Sequence, residues 1–286
     1  GNALLVLGRW NEARKAFDKA TEIDPQDTDA WNGKGNAFIC QSKYDEGLQA
    51  FNRTIEISPQ DTYALNGKGN AFIGQGKYEE ALQAFNRAIE IDPQNSDAWS
   101  NKGIALDIQG KYDEALKAYD RAIDINPQDA FSWISRGTAL LDLGRNDEAL
   151  KAFDKAIEIN STYIDARISK GLALGAYGMH DEAMQALDEA IKIDPKNAEA
   201  WSSKGNALMD LDRDEEALQA FDMAIEINPK VAEAWVNKGN ALMRQGRDAE
   251  AMQAIDRAIE VDPGCADAWS SKGLSLFNNG RYDEAL

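Results

Sequence analysis

Glycine recurs every 34 residues through the whole chain, at Gly1, Gly35, Gly69, Gly103, Gly137, Gly171, Gly205, Gly239 and Gly273, and no insertion breaks the register. A period of this length marks chains built from stacked supersecondary units, each too small to bury its apolar face alone. All seven prolines keep the same period: Pro25, Pro59, Pro93, Pro127, Pro195, Pro229 and Pro263. One proline slot is vacant, and Ser161 fills it. The fold must therefore be one that repeats every 34 residues.

With Thr28 as position 1, full units run 28–61, 62–95, 96–129, 130–163, 164–197, 198–231 and 232–265, with incomplete units at 1–27 and 266–286. Together they make a single array over 1–286. Each unit reads as two helices. The first, as in Asp97 to Gly110, ends in a Gly-Lys or Gly-Arg turn. The second starts at an acidic pair such as Asp113 and Glu114, which complements the positive end of a helix. Apolar residues at Ala115, Ala118, Tyr119, Ala122, Ile123 and Ile125 have the spacing of one helical face. Pro127 then stops the hydrogen-bond ladder.

The series Trp201, Gly205, Leu208, Ala217, Phe221, Ala224 and Pro229 resembles the tetratricopeptide repeat pattern, and the resemblance covers the entire chain. It implies an all-α, right-handed superhelical solenoid of antiparallel helix pairs. It also implies an inner groove lined by positions 2, 5, 6, 9, 12 and 13 of the first helices. One departure from the family is systematic. Position 7 holds Lys34, Lys68, Lys102, Arg136, Lys170, Lys204, Lys238 and Lys272 where the family has leucine. These are expected to snorkel at the edge of the helix pair and reach a neighbouring acid. Chaperone-binding members of the family grip a terminal carboxylate with a lysine at position 5. Here that position is Asn32, Asn66, Ser100, Ile134, Ile168, Ser202, Val236 and Ser270, so capture of an acidic C-terminal tail is not expected.

Asparagine is the clearest signal on the groove lines. Of 20 in the chain, ten fall there: Asn2, Asn32, Asn36, Asn66, Asn70, Asn101, Asn206, Asn237, Asn240 and Asn278. Asparagine inside a helix costs about 0.5 kcal/mol relative to alanine, so the concentration calls for a cause. A carboxamide both donates and accepts, and a row of them suits successive peptide groups of an extended chain. The other reading is that these amides tie one first helix to the next. Between the Asn-bearing units the lines carry Ile104, Ile108, Phe131, Ile134, Leu141, Ile168 and Leu172, an apolar patch suited to an anchor side chain or else core. Acids on the lines include Asp29, Asp97, Asp165, Glu199, Glu233 and Asp267, against the single base Arg244.

Other chemistries find little support. A net charge of −18 opposes wrapping nucleic acid or an anionic membrane. No apolar run approaches a membrane span. The first residues lack a signal peptide's basic start and apolar core. Cys40 and Cys265 support neither a disulfide framework nor a thiolate metal site, and point to a cytoplasmic setting. His180, the one histidine, is expected at a surface turn. No phosphate loop, Cys/His cluster or nucleophile turn is present, and no cofactor is expected.

The expected function is therefore non-enzymatic: a scaffold that binds an extended, neutral-to-basic protein segment. The alternatives are a self-assembling structural array and the docking arm of a larger enzyme, since the absence of an initiating Met suggests a fragment. For self-assembly, the two incomplete units would complete each other head-to-tail through Trp10, Phe17, Trp269, Leu276 and Phe277.

Overall fold

The computed structural model describes residues 1–282, and these form 17 helices with no strand among them. They fall into two compact units, Gly1–Arg145 and Asn146–Leu286. The first holds α1 (Asn2–Val6), α2 (Trp10–Ile23), α3 (Thr28–Ile39), α4 (Tyr44–Ile57), α5 (Thr62–Gly74), α6 (Tyr78–Ile91), α7 (Ser96–Ile108), α8 (Tyr112–Ile125) and α9 (Ala130–Asp142). The second holds α10 (Asn146–Ile159), α11 (Ile164–Ala176), α12 (His180–Ile193), α13 (Ala198–Asp210), α14 (Asp214–Ile227), α15 (Ala232–Arg244), α16 (Asp248–Val261) and α17 (Ala266–Asn278). Within each unit, consecutive helices pack against one another as antiparallel neighbours. This is the expected all-α solenoid of helix pairs. The turn of second helix expected after position 280 lies largely outside the described residues.

Helix starts follow the residue at position 34. Asp27, Asp61, Asn95, Asp129 and Asn197 each accept from a backbone N–H of the first turn that follows, satisfying a donor the helix cannot. The preceding proline carbonyl is also used: Trp31, Trp99, Trp133, Trp201, Trp235 and Trp269 donate their indole N–H to the proline six residues earlier, at 3.0–3.1 Å. Where Ser161 replaces proline both devices lapse. Tyr163 makes no side-chain cap, and Arg167 stands at the Trp position. Arg167 is 9% exposed, lies 3.4 Å from Glu189, and leaves Nη1 buried without a partner.

Side chains on the second helices wedge the pairs together. The Phe51 ring, fully buried, presses on its own first helix at Gly35 and on the next at Gly67. A Cβ at either glycine would fall 2.4–2.6 Å from that ring, closer than real carbons approach. Position 7 reaches the preceding unit as expected. Lys34, Arg136, Lys170, Lys204, Lys238 and Lys272 pair with Asp18, Asp120, Asp154, Asp188, Asp222 and Asp256 at 2.6–2.8 Å. Lys68 meets Asn52 instead, at 2.9 Å. Several of these ammonium groups also sit about 5–6 Å over the tryptophan of their own helix. Half-exposed pairs add only about 0–1 kcal/mol each, so they set register more than stability.

The turn inside each pair needs a left-handed residue at position 15, with φ between 68° and 77° where glycine supplies it. Ser42 and Asp212 take the same conformation at φ 57°. Asp212 is compensated by its pairing with Arg244, whereas Ser42 makes only the backbone bonds of the turn. Ser42→Gly should therefore raise stability by roughly 0.5–1 kcal/mol, the left-handed penalty less glycine's entropy. Asp212→Gly should gain less. Thermal and urea unfolding of the two variants against the parent chain measures the difference.

Candidate functional site

The asparagines divide into two groups with different surroundings. Asn32 and Asn66, at position 5, are 5% and 8% exposed. Their amide N–H groups point to the cap of the next helix: Asn32 Nδ2 donates to Asp61 Oδ2 and Asn66 Nδ2 to Asn95 Oδ1, each at 3.4 Å. Those caps must stay acceptors, because Asp61 and Asn95 also receive the backbone N–H of Ala64 and Ala98. The amide orientation is thereby fixed, and both Oδ1 atoms are left buried without a partner. The position-9 and position-6 amides are freer. Asn36 is half-buried and donates to the Tyr63 hydroxyl at 2.6 Å, Asn70 is exposed, and Asn101 is half-buried.

Asn36, Asn66, Asn70 and Asn101 come together around one cavity of about 240 Å³, walled by Tyr63 and Phe131, which are 57% and 45% exposed. Tyr63 had escaped the sequence reading. Its signal was an aromatic at position 2, where Asp29, Asp97 and Asp165 stand in other units. In the second unit, Asn237 and Asn240 border a separate recess of about 560 Å³ with Val236, Glu233, Asp267 and Ser270. Asn240 Oδ1 accepts from Ser271 Oγ at 3.0 Å, and Asn237 Nδ2 is enclosed without a partner. Asn206 is half-buried on α13 and lines neither recess.

The apolar patch needs correction. Ile134 and Ile168 are 9% and 2% exposed, and Ile168 packs with Leu174, Leu187 and Ala190 in the second unit's core. Position 5 faces the adjoining helices, so an apolar residue there is swallowed by the joint that Asn32 and Asn66 bridge by hydrogen bonding. Ile104 is half-buried, while Leu172 is 45% exposed. Two of the self-association residues are corrected for the same reason. Phe17 is 7% exposed between the Gly1 and Gly33 backbones, and Leu276 is 5% exposed. Trp10, Trp269 and Phe277 remain exposed. His180 opens α12 and lies 3.6 Å from Asp210, a helix start rather than a turn.

Charge on the first helices is acidic in both units. In the second, Glu199 is pushed up by burial and then by Asp165 and Glu233, the acids at the same position one repeat before and after. In the first unit, burial and the neighbouring Asp142 raise Asp107 to about 6. No cluster of His, Cys, Asp and Glu able to hold a metal occurs among the described residues. None of their helices is long and apolar enough to cross a membrane.

Tetratricopeptide repeat models match residues 1–62, 66–130, 228–260 and 236–286, and a second such model matches 108–174, 140–205 and 174–230. The chain belongs to the tetratricopeptide repeat family, and with it to a class of protein–protein interaction scaffolds that bind protein or peptide partners. No curated protein matches it. Among solved structures it is similar to a chain of the APC/C hetero-tetramer Cut9-Hcn1, with 17% identity and a TM-score of 0.73 over 96% of this chain and 54% of that one. It is also similar to a tetratricopeptide repeat protein of Parabacteroides merdae, with 17% identity and a TM-score of 0.70 over 87% and 98%. Yeast Tom70 gives 15% identity and a TM-score of 0.71 over 95% and 59%. These likenesses concern the fold, and the chain spans only about half the length of the first.

Asp107 supplies a test by pH. Its folded pKa lies above the unfolded one, so the folded state holds this proton more tightly. Its contribution to stability is greatest below about pH 4 and is lost as pH rises through about 6. Asp107→Asn should raise the melting temperature at pH 7.5, and the gain should shrink as pH falls from 6 to 4. Calorimetry across that range reads it directly.

Proposed function

We propose that the first unit holds an extended segment of a partner protein along the face that carries Asn36, Asn70 and Asn101. The observation that carries this reading is the cavity itself. It gathers four carboxamides and two exposed aromatic rings on a surface where most of the amides are not needed by the fold. Amides pair with a peptide backbone whatever its sequence, while Tyr63 and Phe131 offer flat apolar area beside them. The net charge of −18 and the acids of the first helices favour a neutral-to-basic segment and disfavour nucleic acid and anionic membranes. The unbroken 34-residue register supports reading both units as one array. We read the role as binding without catalysis, in a reducing, cytoplasmic setting consistent with free Cys40 and Cys265.

Asn36→Ala combined with Asn70→Ala tests the reading. Each lost hydrogen bond should weaken the partner complex by about 0.5–1.5 kcal/mol while the melting temperature holds. Asn32→Ala should behave oppositely and lower stability, because its amide bridges to the Asp61 cap. Affinity for captured peptides from an arrayed library, measured beside thermal unfolding, separates the two. Loss of stability with retained affinity in the Asn36/Asn70 variant would assign those amides to the fold.

A second reading rests on α17, where Trp269, Leu274 and Phe277 are 51%, 55% and 59% exposed. Burying them against the opening helices of another copy, near Trp10, gives a head-to-tail contact, which propagates into rows or closes into rings. Sedimentation over a concentration series should then show mass growing beyond a dimer. A constant monomer mass at high concentration removes the idea.

A further inference from the structure

The walls of the first-unit cavity differ from a neutral peptide cradle in one respect: every charge on them is negative. Asp97 and Asp129 border it, and no lysine or arginine does. Asp97 is exposed in the first turn of α7 and has no ion-pair partner among the described residues. Asp129 caps α9, with both oxygens turned to backbone N–H groups. Asn66 lies behind these groups: it is 92% buried, its N–H is committed to the Asn95 cap, and its Oδ1 is enclosed, out of reach of a ligand.

Size and walls narrow the ligand. A space of about 240 Å³ is several times the roughly 30 Å³ share of one water molecule. Tyr63 and Phe131 flank it with exposed ring faces, whose electron-rich surfaces attract cations. Two carboxylates with no base beside them and two exposed rings are together complementary to a group that is positively charged, rich in N–H and carried on an apolar stem. We propose that this cavity receives a lysine or arginine side chain of the bound segment. The ammonium or guanidinium would sit beside Asp97, with its methylenes between Tyr63 and Phe131, while Asn36, Asn70 and Asn101 hold the neighbouring backbone. The assignment rests on the peptide-binding reading above and adds the residue class that anchors it.

The test uses the full chain and acetylated, amidated peptide pools of Gly, Ser, Ala and Thr that share one fixed central residue: lysine, arginine, norleucine, citrulline or glutamate. Fluorescence anisotropy should give lysine and arginine pools an advantage of about ten-fold or more over norleucine and citrulline, as expected for a charge-assisted bond. Asp97→Asn should remove most of that margin and leave norleucine binding unchanged. Asp113→Asn, which deletes the same charge at an exposed site outside the cavity, should leave the margin intact. Equal loss in the two variants would reduce the effect to general attraction by an acidic protein and overturn the proposal. Equal binding of all pools, with continued sensitivity to Asn36→Ala and Asn70→Ala, would overturn the cationic anchor and leave the peptide-binding reading standing. Binding of no pool would overturn both.

Discussion

The architecture depends on one contact, a bulky second-helix side chain driven onto the glycine of its own repeat, and at Phe17 and Phe51 onto a glycine of the next repeat as well. Phe51 touches Gly35 of its own pair and Gly67 of the next, so one ring joins a helix pair internally and to its neighbour. A ring of this size is worth about 1.5–3 kcal/mol in burial, and removing it from a close-packed site costs about 3–5. Because the same contact serves both joints, pair formation and stacking are not separable energies. Further along, the wedge keeps only the glycine of its own pair. Tyr119 against Gly103, Leu187 against Gly171 and Ile255 against Gly239 keep the wedge while changing its shape. A β-branched or leucine wedge fills less than a ring, and it recurs in the second unit, where Arg167 also stands at the Trp position.

Much of this was legible because each structural demand recurs at a fixed position. Glycine at position 8, alanine at positions 20 and 27 and proline in the linker have meanings that one copy could not establish and many copies do. The lysine row was legible for the same reason: acids at position 25 stand 16 residues before the bases they meet, once in nearly every unit. The site was less legible. Positions that face a joint and positions that face solvent alternate within one first helix, and a periodic pattern alone does not say which is which. Ile134 and Ile168 were placed in the groove because position 5 is one of the lines that the family resemblance points inward, with core as the other reading. They and the position-5 amides Asn32 and Asn66 are all in the joint, apolar in one pair and hydrogen-bonded in the other. Phe17 and Leu276 were misplaced likewise, since incomplete units were read as open faces while the helices present already cover them. Tyr63 went unnoticed because it and Phe131 interrupt an otherwise acidic column, and two exceptions carry no periodic signal.

The asparagines show why the choice between a structural and a ligand-binding amide was wrongly posed. An amide has two ends. At position 5 the nitrogen end completes the cap of the next helix, which is a stacking interaction, and the cap's own chemistry forbids the amide to turn over. The oxygen end is thereby left buried and unspent. Serine at this position, as in Ser100 and Ser202, keeps a smaller and rotatable group that imposes no such direction. The joint between two repeats thus encloses the whole position-5 amide and leaves the surface beside it to the amides at positions 6 and 9. Asp97 and Asp129 border that space with no base to answer them, beside the amides of Asn70 and Asn101, which can both donate and accept. A change of cap from Asn or Asp to a residue that cannot accept would free the position-5 amide, and would alter the joint and the surface beside it at once.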